Sequence, residues 1–388
     1  MQRIAFDDEH HMYRDTVRRF IAQEIVPNDQ EWEDAGAVDR DLFRKAAAQG
    51  LLAMQVPEQH GGLGLDDFRF NQIVGEEVGV AGVIGSGTGI TLHTDVVLPY
   101  ILELATDEQR DRWLPGIADG TLITALGLTE PGMGSDLAGM GTSALATDAG
   151  YQVNGSKTFI TNGINADLVV TAVKTDPAQR HRGISLLVLE RGMDGFERGR
   201  NLQKIGMHAQ DTAELFFNDV KIPKTNVLGD PTQGFKYLTH FLAEERLANA
   251  VQSITGAQVA WDITLDFVKQ RRAFGKPLAA FQNTRFKLAE LRTQIDVVQA
   301  FVDQSVTLLN AGKLTADIAA EAKLVASEVE GRTVDECLQL FGGAGYMDEY
   351  RISRLYADAR IGRIYAGTSE IMKEIIARGF GLDERKLV

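Results

Sequence analysis

YQVNGSKTFITNG, residues 151–163, interrupts a chain that is otherwise written in helical periods. Val153, Phe159 and Ile160 are strand formers, and Asn154-Gly155 between them is a favoured pair for a two-residue hairpin turn. A hairpin is therefore expected here. Beyond it lie DLVVTAVKT (167–175), GISLLVLE (183–190) and TAELFFNDVKIP (212–223). Each is short, rich in Val, Leu or Phe, and bounded by turn residues, with no helical stretch between them. The expectation is an antiparallel β domain spanning 123–228, a barrel or a sandwich, with the barrel preferred.

The flanks read differently. In residues 1–122, MYRDTVRRFIAQEIVP carries Met12, Val17, Phe20 and Ile21 at helical spacing and stops at Pro27, a helix breaker. Gly50 is placed to end a second helix, Asp66 or Asp67 to cap a third, and Thr106 with Gln109 has the spacing of a capping box. In residues 229–388 the stripes are longer. Leu247, Val251, Ile254, Trp261, Leu265 and Val268 form one, Leu288 to Leu309 a second, and Ile318, Ala322, Val325 and Val329 begin a third. Such stripes are the packing faces of a bundle. The whole is an α+β multidomain protein: an N-terminal α-helical domain, a middle β-barrel and a C-terminal four-helix bundle.

Composition excludes several functions. With 40 basic and 54 acidic residues the formal charge is −14, which disfavours broad binding to nucleic acid or anionic membrane. The single cysteine, Cys337, excludes an internal disulfide and fits a reducing compartment. The first residues lack the apolar core of a secretion signal, and no stretch is long and apolar enough for a membrane span. A cytoplasmic location is expected. The seven histidines show no metal-binding pair at helical spacing, so no metal is expected. Gly85, Gly87 and Gly89 do not follow a strand and lack the third position of a dinucleotide fingerprint. Phe235 stands where a phosphate-binding loop after Gly229 would need Lys.

Five short stretches carry the chemistry. LGLTEPGMGSD (126–136) and FITNG (159–163) lie in the β region. RRAFGKPLAAFQ (271–282), QLFGGAGY (339–346) and YAGTSEI (365–371) lie in the helical region. Alone, each is a glycine-bearing turn. In this order and spacing, across helices, strands and helices again, they resemble the acyl-CoA dehydrogenases over almost the whole chain.

That resemblance implies FAD as cofactor, an acyl-CoA as substrate, an electron-transfer flavoprotein as electron acceptor, and a homotetramer. Leu126, Leu128, Thr129, Gly134, Ser135, Phe159, Ile160 and Thr161 would meet the flavin, with Phe159 standing where the family commonly has Trp. Arg271, Phe274 and Gln282 would reach the FAD of a neighbouring subunit. Gln339, Leu340, Phe341, Gly342 and Gly343 would hold its adenosine half, and Thr368, Ser369 and Glu370 would close over it. Ser135, Arg246, Tyr365, Ala366 and Gly367 would contact the substrate. The reaction removes an α-proton and a β-hydride to give the trans-2-enoyl-CoA.

Removing the α-proton needs a carboxylate. Many family members carry it as Glu directly before Gly-Thr, where this chain has Ala366. The long-chain and isovaleryl branches, which this chain resembles more, have a small residue there and a Glu beside an Arg early in the first bundle helix. HFLAEERLANA (240–250) supplies Glu244, Glu245 and Arg246. The family pattern points to Glu245 as the base, although the apolar stripe extended backwards reaches Glu244. Ala243 occupies the place where relatives often have an Asp that contacts CoA. Gly85, Gly87 and Gly89 would leave room in the acyl cavity, which favours long-chain substrates. The alternatives are a branched short-chain acyl-CoA dehydrogenase, another flavoenzyme or oxidase on this fold, or a non-catalytic scaffold flavoprotein.

Overall fold

In the computed structural model, which describes residues 3–383, seven helices precede the first strand: α1 (Asp8–Phe20), α2 (Asp29–Ala35), α3 (Asp41–Ala48), α4 (Phe68–Ala81), α5 (Ile84–Thr91), α6 (Leu98–Leu104) and α7 (Asp107–Ala118). Pro27 ends the first helical run in a 3₁₀ turn, and α2 restarts two residues later. Asp67 caps α4, its side chain accepting from Arg69 N–H. Thr106 and Gln109 close the expected capping box. The Gln109 amide then donates to the carbonyls of Thr225 and Val227 at 2.8 Å each, tying α7 to the β region.

The strands are β1 (Thr124–Gly127), β2 (Ser143–Thr147), β3 (Gly150–Thr161), β4 (Leu168–Lys174), β5 (Ile184–Glu190), β6 (Phe196–Asn201), β7 (Thr212–Pro223) and β8 (Val227–Leu228). They run in the order β6-β7-β3-β2-β4-β5-β8, with β1 pairing β4. Two expectations are corrected. Most neighbours are antiparallel, but β1 lies parallel to β4. The ladder is also open, because no pairing joins β6 to β8 among the described residues, so a closed barrel is not formed.

The expected hairpin at Asn154-Gly155 is likewise absent. β3 runs straight through it with a bulge against β7, and the chain reverses earlier, at Thr147↔Gly150. Asn154 is held in the ladder by a mutual exchange with Asp219, and a Cβ on Gly155 would stand 2.7 Å from Thr142 Cα. The glycine serves close approach of β2, not reversal.

The third region holds α8 (Gly234–Gln270), the ribbon β9 (Arg272–Ala273) and β10 (Lys276–Pro277), α9 (Gln282–Asn310), α10 (Ala316–Phe341), α11 (Arg351–Ala359) and α12 (Ser369–Gly379). α8, α9 and α10 pack along their lengths, and α12 lies on α10. The stripes on α8 and α9 are core as expected. That on α10 is core in part: Ala322 is buried, Val325 and Val329 pack half-buried against the same cluster, and Ile318 is half-buried. The buried face of α10 also carries Ala319, Lys323, Ala326, Ser327 and Glu330. Small and charged residues thus share the inner face with the stripe. Gly256 on α8 makes the space for Glu330, whose Oε1 lies 2.2 Å from where its Cβ would be.

Gly85, Gly87 and Gly89 also differ from expectation. Added Cβ atoms would meet the Met207 backbone at 3.2 Å, Val78 Cγ1 at 2.5 Å and Asn162 Oδ1 at 2.8 Å. These glycines let α5 seat against α4 and the β region; they do not widen a cavity. Gly87→Ala should therefore push α5 off α4 and lower stability by about 1–3 kcal/mol, read by urea unfolding. An unchanged midpoint would reject this packing role.

Candidate active site

A cavity of about 90 Å³ lies where the three regions meet. α8 contributes Glu245, Asn249 and Gln252, α4 contributes Asn71 and Gly75, β3 contributes Thr161, and the loop before α12 contributes Tyr365 and Ala366. Glu245, Thr161, Tyr365 and Ala366, far apart in sequence, are thus brought together. Glu244 does not line this cavity.

The two neighbouring glutamates differ electrostatically. Burial pushes the Glu245 carboxyl up to about 7, and the cations of Arg246 and Lys323 pull against that rise. Its Oε2 is buried with no hydrogen-bond partner among the described residues. Burial raises Glu244 to about 8, and its charged neighbours, Asp95, Glu103 and Asp66, are all acidic and raise it further. Glu244 therefore holds its proton through neutral pH, whereas Glu245 exchanges one there.

The loop opposite Glu245 is held by its carbonyls. Ala366 sits at φ 54° and Gly367 at φ 95°, a conformation that Ala adopts only at a cost of about 1–2 kcal/mol. Arg246 Nε donates to the Ala366 carbonyl at 3.3 Å, and Lys323 Nζ donates to that of Gly367 at 2.7 Å. Both side chains are buried. Hydrogen bonds from charged donors contribute about 1.5–3 kcal/mol each, enough to hold the turn. The Ala366 N–H donates to no carbonyl among the described residues and adjoins the cavity that Glu245 lines. Tyr365 donates its hydroxyl to Gln252 Oε1 at 3.0 Å. Sequence reasoning missed Lys323 because it falls on the inner face of α10, where a charge is not expected.

The strand-side residues are placed by a second buried cation. Lys157 is fully buried, and its Nζ donates to Glu130 Oε1 at 2.8 Å and to the Leu128 carbonyl at 3.0 Å. Glu130 also accepts from the N–H groups of Gly141 and Thr142. This network orders the loop bearing Leu128, Thr129, Gly134 and Ser135, and Thr158 N–H donates to the Thr129 carbonyl beside it. A bulge between Lys157 and Ile160 turns Phe159 to φ 60° and leaves its ring 67% exposed. Ile160 points the other way, into the β core. Asn162 donates to the carbonyls of Gly89 and Thr124 at 3.1 Å each, joining α5 to the strands next to Thr161.

Other expected contacts lie elsewhere. Thr368 caps α12 through its hydroxyl, and Ser369 donates to Glu328 Oε1 at 2.8 Å, while Glu370 is exposed. Arg271, Phe274 and Gln282 gather at the far end of α8, with Gln339, Leu340, Phe341, Gly342 and Gly343 nearby through the stacked rings of Phe267 and Phe341 at 4.0 Å. Twenty-five residues of continuous helix separate Glu245 from the end of α8 at Gln270, roughly 35–40 Å at 1.5 Å per residue. Phe274-Gly275 closes the β9–β10 ribbon with both residues at positive φ, and the Phe274 ring is 95% exposed. Added Cβ atoms at Gly342 and Gly343 would meet open space. Among the described residues no cluster of ligating side chains could hold a metal, and no helix is long and apolar enough to cross a membrane.

Comparison with known proteins agrees over nearly all of the chain. The models of the acyl-CoA dehydrogenase N-terminal, middle and C-terminal domains match residues 7–121, 125–220 and 232–381. The long-chain specific acyl-CoA dehydrogenase of Mus musculus mitochondria is 45% identical over 378 residues, 97% of this chain and 87% of that one. The crystal structure of acyl-CoA dehydrogenase from Geobacillus kaustophilus superposes with a TM-score of 0.95 at 46% identity, covering 98% of this chain and all of that one. A chain from the structure of the electron transferring flavoprotein of Acidaminococcus fermentans gives 0.92 at 34%, covering 98% and 100%. Acyl-CoA dehydrogenase from Bacillus anthracis, complexed with FAD, gives 0.90 at 30%, covering 98% and 68%.

The raised Glu245 pKa has a consequence for stability. A carboxyl that titrates near 7 when folded, and near that of a free glutamate when unfolded, penalises the folded state once the unfolded chain has ionised. The penalty grows with pH up to about 7 and then levels. Glu245→Gln should thus raise the thermal midpoint, more at pH 8 than at pH 5. Equal effects at both would show that the carboxyl is not desolvated.

Proposed function

The chain belongs to the acyl-CoA dehydrogenase family, and from that premise we propose that Glu245 is the base that removes the α-proton of a bound acyl-CoA. The protein is an FAD-dependent oxidoreductase that dehydrogenates acyl-CoA thioesters, its electrons passing to an electron-transfer flavoprotein. The carrying observation is the pairing of Glu245 and Ala366 across one cavity. Glu245 is a desolvated carboxylate that titrates near the working pH, as a general base should. The Ala366 N–H is the donor offered to the thioester oxygen as enolate charge develops. Ala366 needs no acidic side chain, because the carboxylate comes from α8. Arg246 and Lys323 position the loop and keep Glu245 ionisable.

The residues suit FAD. The exposed Phe159 ring, with Leu126, Leu128, Thr129, Gly134, Ser135, Thr161 and the Ile160 backbone, would hold the flavin end. The open backbone at Gly342 and Gly343, with Arg271, Phe274 and Gln282, would hold the diphosphate and adenosine. Bound FAD supplies the acceptor for the β-hydride. These two groups of residues stand at opposite ends of α8, so one cofactor would be completed by two copies of the chain. That supports a homo-oligomer, proposed as a tetramer, with the division at 122/123 and 228/229 separating its three domains. A cytoplasmic location accompanies this reading.

Long acyl chains are the proposed substrates. The relatives named long-chain specific support this, as does Gly75, which lines the cavity with only Val251 Cγ1, at 3.8 Å, near the place of a Cβ.

Glu245→Gln should keep its FAD yet lose bleaching of the flavin by acyl-CoA under anaerobic conditions, by a factor of about 10² or more, while Glu244→Gln bleaches normally. Normal bleaching in Glu245→Gln rejects the assignment. In the wild type the rate of flavin reduction should rise with pH through about 7 as Glu245 loses its proton; a flat profile from pH 5 to 9 would count against it. Gly75→Leu should fill the cavity and move the best substrate to a shorter acyl chain, read from kcat/KM over a chain-length series.

A further inference from the structure

Tyr100, on α6, is 1% exposed, and its hydroxyl has no hydrogen-bond partner among the described residues. A buried tyrosine hydroxyl normally finds one, because leaving the group dry and unpaired is costly. Its ring packs on Phe241 of α8, with centroids 4.2 Å apart. Phe241 stands one helical turn before Glu245, so α6 lies along the side of α8 that carries the carboxyl. The charges of Glu245 and Arg246 both act on the hydroxyl.

Glu245 is incomplete in the matching way. It lines the cavity, yet its Oε2 is sealed from solvent and has no partner among the described residues. Once the carboxyl is ionised, that oxygen carries charge and needs a donor. The charged and titratable groups that act on Glu245 are Arg246 from α8, Lys323 from α10, Tyr100 from α6 and Tyr365 from the loop before α12. Three of them are engaged elsewhere. Arg246 and Lys323 donate to the carbonyls of Ala366 and Gly367, and Tyr365 donates to Gln252. The Tyr100 hydroxyl makes no bond of its own. Burial, and after it the nearby Glu245, hold this phenol well above the usual tyrosine range, with Arg246 opposing. It therefore keeps its proton at every pH where Glu245 loses one.

We infer that Tyr100 is a positioning residue for the base: its hydroxyl donates to Glu245 Oε2 when the carboxyl is ionised, leaving Oε1 to meet the α-proton. This rests on the reading of Glu245 as the base. The two groups are unbonded in this structure, and rotation within the flexible glutamate side chain joins them. A hydrogen bond to the ionised form favours that form. Tyr100 thus draws the carboxyl towards ionisation and fixes which oxygen faces the substrate. Asn249, one turn beyond Glu245, has a buried amide without a partner and is the rival donor.

Tyr100→Phe keeps the ring on Phe241 and removes only the oxygen. In the FAD-loaded enzyme the pH midpoint of flavin reduction by acyl-CoA should rise by about one unit or more. The rate at pH 7 should fall about 5-fold while the rate at pH 9 holds. A second readout needs no turnover. The thermal midpoint of the variant should fall further below that of the wild type at pH 8 than at pH 5, because loss of the donor enlarges the penalty on the ionised carboxyl. In a Glu245→Gln background that pH dependence should vanish. A Tyr100→Phe rate profile that overlays the wild type, as when Asn249 supplies the donor, overturns the inference. So does a midpoint loss that is equal at the two pH values, which would mark Tyr100 as packing alone. If Glu245→Gln still bleaches its flavin, the reading of Glu245 as the base fails, and the thermal midpoints still decide whether Tyr100 serves its carboxyl.

Discussion

Two buried cations hold one loop, and the rest of the site depends on that. Arg246 and Lys323 grip the carbonyls of Ala366 and Gly367 while the backbone there is left-handed. Gripping the carbonyls leaves the Ala366 N–H free and places it on the cavity that Glu245 lines. The same two cations moderate the Glu245 carboxyl. With burial alone it would rise further and stay protonated; with cations in direct contact it would fall and lose basicity. Burial remains the larger cause and the cations the opposing one, so the carboxyl titrates at about 7.

Desolvation makes this arrangement costly, and the fold compensates locally. Lys323 is held below its usual range, at about 8, chiefly by burial and by the nearby Arg246. It remains mostly charged at neutral pH because Glu245 and other acids oppose that fall. The Lys157–Glu130 pair follows the same rule on the strand side. Burial drives the lysine down, while Glu130, aided by two backbone N–H groups, supports the charge. In the Lys157–Glu130 pair the partner that supports the buried charge also orders a loop, so a structural ion pair and that loop are the same object.

The long helix α8 sets the distance between the cavity and the 271–282 segment. It carries Glu245 near one end and delivers the chain to Arg271 at the other. A rigid rod of that length cannot fold back on itself, so its two ends serve different places. The Phe159 and Phe274 rings, each on left-handed backbone, are both exposed.

Much of this was legible in the residues. The alternation of helical and strand texture located the three regions, because periods of 3.6 and 2 are local properties of the chain. The capping box at Thr106 and the core stripes on α8 and α9 were readable for the same reason. The Glu-Arg pair at 245–246 was readable only through the family pattern, since the stripe alone pointed to Glu244. Tertiary structure decided the rest. Asn154-Gly155 became a bulge because Asp219 and β2 competed for it. The glycines of α5 were taken by helix packing, and Gly75 opened the cavity in their place. Lys323 has no signature in one dimension. Its role comes from neighbours remote in sequence, and a buried polar group acquires its meaning only from what it faces.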